Sequence, residues 1–177
     1  MSGTARTLAA LDALFADNTA GEISPQDLRD FLHTVLGVYG SMYCFNAAAA
    51  QGSLGTTPAK LSCFTVDGEA VNTTPDHTND QLTVGVTGIY DMNFEVSYSG
   101  TNSAVCKFRI RVNGIEQPFG CTRKLGTSGD VGCASFFAPG LNLTALDIIT
   151  VYVETDDGGN GDTITVTDAQ LTIKMVG

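Results

Sequence analysis

The sequence predicts a mainly β protein, an antiparallel jelly-roll sandwich preceded by a short two-helix N-terminal arm. Three observations lead there. Residues 88–114 hold two runs of regular apolar–polar alternation. Of 177 residues only 16% are charged while 20 are Gly, the profile of a turn-rich sheet protein with a hydroxyl-bearing surface. Residues 24–37 carry the start and stop signals of a helix.

The arm comes first in the chain. Leu8, Leu11, Leu14 and Phe15 recur at helical spacing and end in the turn residues Asp17, Asn18 and Gly21. In the second segment Ser24 is placed to cap, Pro25 fits the first helical position, and Asp27 lies near the positive helix end. Leu28, Phe31, Leu32, Val35 and Leu36 follow on one face, and Gly37 offers the stop. Isolated helices below about 12–15 residues are marginal, so both faces need a surface to dock on. That surface is either the chain's own β body or a neighbouring molecule, and a terminal appendage favours the second. Residues 1–38 therefore read as an anchoring arm, with Leu11, Leu14, Phe15, Leu28, Phe31, Leu32 and Val35 as the gripping side chains.

Residues 39–59 are rich in Ala, Gly, Ser and Thr and read as a linker with an extended piece from Met42 to Ala50. Residues 60–177 read as the jelly-roll domain. Strands are expected at 61–66, 81–84, 89–98, 105–112, 131–137, 147–154 and 163–175. In the fullest pair, Tyr90, Met92, Phe94, Val96 and Tyr98 alternate with polar residues, as do Cys106, Phe108, Ile110 and Val112. Side chains alternate across a strand, so each run lays one apolar row on a core. The polar turn 99–103 predicts that these two strands pair as a hairpin. The run Ile148, Ile149, Val151, Tyr152, Val153 is apolar on both faces and needs cover on its outer side. A subunit contact or the folded-over arm would supply it.

Charge limits the partners. A formal net charge of −10 argues against nucleic acid, whose binding depends on clustered cations. Lys107, Arg109, Arg111, Arg123 and Lys124 form a small basic group suited to an acidic protein surface. No apolar run reaches the ~20 residues of a membrane helix, and the N-terminus lacks the apolar core of a secretion signal. Folding in cytoplasm is the expectation. The five Cys residues, 44, 63, 106, 121 and 133, show no paired metal spacing. They read as buried free thiols, with a disulfide as the alternative.

Two resemblances sharpen this reading. Gly88-Ile89-Tyr90, then Phe108 to Gly114 with its Val-Asn-Gly, then Leu141 to Asp147 before an apolar strand, resemble the tumour-necrosis-factor-like jelly roll of complement-type globular heads. Leu146 stands where that family usually has Gly. The resemblance implies a homotrimer that buries aromatic and aliphatic side chains on its axis, with Tyr90, Ile149, Val151, Tyr152 and Val153 as candidates. Thr7-Leu8, Leu14 to Thr19 and Gly21 to Phe31 resemble the leader shared by bacteriophage virion proteins, where it precedes varied fibre or decoration domains. It implies a trimeric capsid decoration protein, of cement or head-fibre type, located in the virion and contacting capsid or other virion proteins. The alternative is a tail-fibre protein whose tip recognises host surface glycans.

No catalytic constellation is visible, so neither an enzyme nor a cofactor is expected. His33 and His77 lack a nucleophile partner. Asp91 and Glu95 share one strand face, where a glycosidase would need carboxylates across a cleft. The loop Asp156 to Asp162 has the oxygens to attract calcium but departs from the EF-hand pattern, and a flexible hairpin turn is the simpler reading.

Overall fold

The computed structural model describes Phe31, residues 37–127 and residues 129–177. Its strands are β1 (Tyr39–Cys44), β2 (Ala49–Leu54), β3 (Ala59–Lys60), β4 (Val66–Val71), β5 (Thr73–Asp76), β6 (Gln81–Val84), β7 (Gly88–Gly100), β8 (Val105–Val112), β9 (Ile115–Lys124), β10 (Gly132–Leu143), β11 (Ile148–Glu154) and β12 (Asp162–Met175). They form two antiparallel sheets. The first runs β10-β7-β12-β1-β4, with β2 also on β12; the second runs β5-β6-β11-β8-β9, with β3 also on β11.

The alternating rows place the core. Tyr90, Met92, Phe94, Val96 and Tyr98 of β7 are at most 3% exposed, and so are Cys106, Phe108 and Ile110 of β8. These two strands do not pair as expected. β7 lies between β10 and β12 in the first sheet, while β8 lies between β11 and β9 in the second. The turn 101–104 thus carries the chain across the sandwich. Alternation fixes which face of a strand is apolar, and two apolar faces are satisfied equally well by meeting across a core. They do so here: the Phe108 ring lies 5.2 Å from Tyr98 and 5.9 Å from Phe94, and Phe94 lies 5.3 Å from Phe136.

The expected linker is corrected too. β1 sits inside the first sheet, paired with β12 on one side and β4 on the other, and Met42 is fully buried. The sandwich therefore begins near Val38, which is 1% exposed, rather than at residue 60. Of the anchoring arm only Phe31, Gly37 and Val38 are described, Phe31 being helical and 39% exposed; the other gripping candidates lie outside the described residues. Gly37 takes φ +86°, the left-handed conformation that ends helices and favours Gly.

Turn chemistry explains the connections. Asn113 and Gly114 have φ of 50° and 79° between the paired residues Val112 and Ile115, the backbone of a two-residue type I′ hairpin. Leu146 has φ 78°, so this Leu occupies a backbone conformation where Gly is free of strain. Asp147 helps hold that turn by accepting from Thr144 N–H and from the Asn113 amide.

Candidate functional site: the outer face of the first sheet

β11 does not present an apolar face to a partner. Ile149, Val151 and Val153 point between the sheets and are at most 1% exposed. Tyr90 is fully buried, donates its hydroxyl to Val86 O at 2.6 Å, and has its phenol pushed up to about 12 by burial. These four interface candidates are corrected: their own chain already covers them. On the outer row Ile148 is 36% exposed, Thr150 is buried, and Tyr152 is half-buried. The Arg111 guanidinium lies 4.2 Å from the Tyr152 ring centre, a cation–π contact that occupies that ring.

The basic group is also largely used within the chain. Lys107 Nζ meets Glu154 at 2.9 Å, Arg111 meets Glu116 at 3.6 Å, and Arg123 meets Asp130 at 3.8 Å. In the acidic loop, Asp157 accepts from Gly159 and Gly161 N–H, which holds its carboxyl below the ordinary value. Asp156 accepts from Val105 N–H. Among the described residues no three His, Cys, Asp or Glu are grouped to hold a metal ion. His77 Nδ1 lies 3.0 Å from Asp67, a contact that becomes an ion pair when the imidazole is protonated. Asp91 accepts from Gly140 N–H at 3.0 Å, tying down a turn.

Among the described residues, exposed aromatic side chains gather on the outer face of the first sheet. The outward rows of β1, β7 and β10 carry Tyr39, Tyr43, Ile89 and Phe137 at 36–56% exposure, and Phe45 just beyond β1 reaches 81%. Register assembles them into cross-strand stripes. Phe137 faces Asn93, which faces Thr172, which faces Ser41. One step along, Ser135, Glu95, Gln170, Tyr43 and Val66 form the next stripe. The result is a polar trough with aromatic margins, Phe137 on the β10 side and the two tyrosines on the β1 side. Two hollows run along it. One of about 620 Å³ is lined by Tyr43, Phe45, Glu95, Ser97, Cys133 and Asp168, among others. The other, about 520 Å³, lies between Tyr39, Asp91, Phe137 and Lys174.

Of these residues the sequence reading had none as interface candidates. The signal that could have found them is the pair Tyr39 and Tyr43, four residues apart and therefore on one face of any strand that contains both. The arrangement sets exposed aromatic rings beside polar side chains that can hydrogen-bond.

No protein-family model matches the chain, and no curated protein matches it. Solved structures do. Eiger, a TNF from S. frugiperda, superposes with a TM-score of 0.57 at 12% identity, covering 80% of this chain and 93% of that one. Murine APRIL at pH 8.5 and at pH 5.0 gives TM-scores of 0.47 and 0.48 at 14% identity, each covering 78% of this chain and 99% of that one. At these identities the likeness concerns the fold, and the first structure carries it. The chain folds as a tumour-necrosis-factor-like jelly roll.

Proposed function

We propose that this chain is a homotrimeric structural protein of a bacteriophage particle, a capsid decoration protein whose jelly-roll head projects outward and whose N-terminal arm grips the shell. The observation that carries the assembly is the aromatic-margined outer face of the first sheet. A face of this kind on an otherwise hydroxyl-rich surface marks a contact site. A cyclic trimer uses two different patches per subunit, so each head docks one surface onto the next and the ring closes. The trough of one subunit is suited to receive the β9–β10 side of its neighbour, where Val131 and Ile115 are 58% and 69% exposed. The virion setting is supported by the leader-like residues 7–31. The mechanism is mechanical: many trimers bridging shell subunits add contact area that resists internal pressure.

The test is localisation. Particles imaged with the protein labelled should show density over the capsid lattice. Label confined to the tail tip would overturn the decoration reading in favour of the fibre alternative. For the arm, deleting residues 1–36 should abolish particle binding while leaving the trimer intact, and retained binding would refute the anchor.

A further inference from the structure

We propose that Asn160, in the Gly-rich loop between β11 and β12, is a site of spontaneous deamidation, with the Asp157 carboxylate as the base that starts the reaction. The chain contains two Asn–Gly steps, Asn113–Gly114 and Asn160–Gly161. A Gly after Asn leaves the next backbone nitrogen unhindered, so both steps meet the sequence requirement for ring closure. The structure separates them. In the β8–β9 turn both ends of the Asn113 amide are held. Its nitrogen donates to Asp147 at 2.7 Å, and its oxygen accepts from Ile148 N–H at 2.8 Å. The Asn113 backbone N–H also donates to Ile148 O at 2.8 Å. Turning that side chain toward the Gly114 nitrogen breaks its two side-chain bonds.

Asn160 is exposed, and among the described residues no hydrogen bond holds its amide. Its side-chain oxygen rests against Gly55, in space that a larger residue there would fill. Gly158, Gly159 and Gly161 surround it in the chain and leave the backbone free to turn. Asp157 supplies the second, independent observation. Its Oδ2 accepts from Gly161 N–H at 2.6 Å and its Oδ1 from Gly159 N–H at 2.9 Å. The Gly161 nitrogen is the atom that must shed its proton to attack, and Oδ2 stands within the reach of a general base. The same two bonds hold the Asp157 carboxyl below its ordinary value, so it is ionised and able to accept a proton at neutral pH.

The steps balance with water as the only co-reactant. Gly161 N–H passes its proton to Asp157 as the nitrogen attacks Cγ of Asn160. The new N–Cγ bond closes a succinimide ring, the Cγ–Nδ2 bond breaks, and the proton returns to the departing nitrogen, which leaves as ammonia. Water then opens the ring. Attack at Cγ gives Asp at position 160; attack at the main-chain carbonyl gives isoaspartate, with the chain running through the side chain. Either product sets a second carboxylate near Asp157 and makes the net charge of −10 more negative by one unit. The isoaspartyl form also lengthens the main chain by one atom. That loosens the loop's hold on the β2–β3 turn, where Thr56 N–H donates to Asp157 O at 3.2 Å. The modification goes beyond the assembly reading and needs neither the trimer nor the virion.

The experiment ages the full chain in neutral buffer, folded and unfolded in urea, and follows both Asn–Gly peptides by mass over several weeks. The expected result is a peptide around Asn160 that gains the difference between amide and carboxyl and splits into Asp and isoaspartyl forms. Folding should speed conversion at Asn160 and slow it at Asn113. Asp157→Ser, which removes the base, should slow the folded-state reaction at Asn160 by at least about tenfold. Hydroxide must then replace the carboxylate, so the variant's rate should rise about tenfold per pH unit where the wild-type rate is nearly flat. Conversion at Asn160 that is no faster in the folded chain than in urea, or no faster than at Asn113, would overturn the site. A wild-type rate and a flat pH profile in Asp157→Ser would overturn the base.

Discussion

Removing the Asp80 carboxylate should destabilise the sandwich out of proportion to the size of one loop residue. Asp80 is only 7% exposed and accepts three hydrogen bonds, from Ser62 Oγ at 2.9 Å and from Cys63 and Phe64 N–H at 3.0 Å. In Asp80→Ala both backbone N–H groups stay buried without their acceptor, at a cost of about 1–3 kcal/mol each. Asp80 also takes φ 46°, a left-handed conformation that Ala adopts less readily than Asp, adding about 1 kcal/mol. The expected loss is about 4 kcal/mol. Asp80→Asn keeps a carbonyl oxygen for the two N–H groups and tolerates the backbone, so it should cost about 1 kcal/mol. Urea unfolding measures both: the midpoint falls while the slope holds. An Ala variant within about 1 kcal/mol of wild type would show that Asp80 does not hold segment 62–64.

Other outcomes follow from the same geometry. Leu146→Gly relieves a left-handed φ of 78° at a side chain 78% exposed; it should leave stability unchanged or raise it by up to about 1 kcal/mol, since Gly loses more chain entropy. Measured loss above 1 kcal/mol would mean that the Leu side chain makes a contact of its own. Burial raises Tyr90 to about 12 and Cys106 and Cys121 to about 11. Groups raised on folding contribute stability that is intact below their unfolded values and lost as pH climbs through the folded ones. Stability should thus fall between about pH 9 and 12, and Tyr90→Phe should lessen the upper part of that decline in alkaline urea titrations. Phe137→Glu should leave the chain folded by circular dichroism but dissociate the trimer, because Phe137 faces outward at 56% exposure; a stable trimer in this variant would remove the outer face from the assembly.

Much of the sheet was legible in the sequence, and its partnering was not. β6, β7, β8 and β11 were readable because their inward rows are apolar residues at alternate positions, and β12 because such rows flank the one-residue shift between Val166 and Ala169. β1 was hidden because Gly40 stands in its inward row, packed so closely on Thr73 that no larger side chain fits. β9 was hidden by Pro118 and Gly120, which an edge strand tolerates since one of its sides needs no ladder bonds. The β7–β8 hairpin was misread because a polar turn between alternating runs serves a hairpin and a crossing between sheets alike. The candidate face was illegible for a further reason. Tyr39, Tyr43 and Phe137 come from segments almost a hundred residues apart, and only the register of β1, β12, β7 and β10 makes them neighbours. In β11 the apolar run was real, yet its inward members were already covered by the opposite sheet and its outer ring by Arg111.

The central claim is that this head assembles with itself through the first sheet. Native mass measurement of the full chain tests it most directly. The account predicts a species of three times the 18.5 kDa chain mass, persisting on dilution and reduced to the single-chain mass by Phe137→Glu. A wild-type protein found only at the single-chain mass would contradict it.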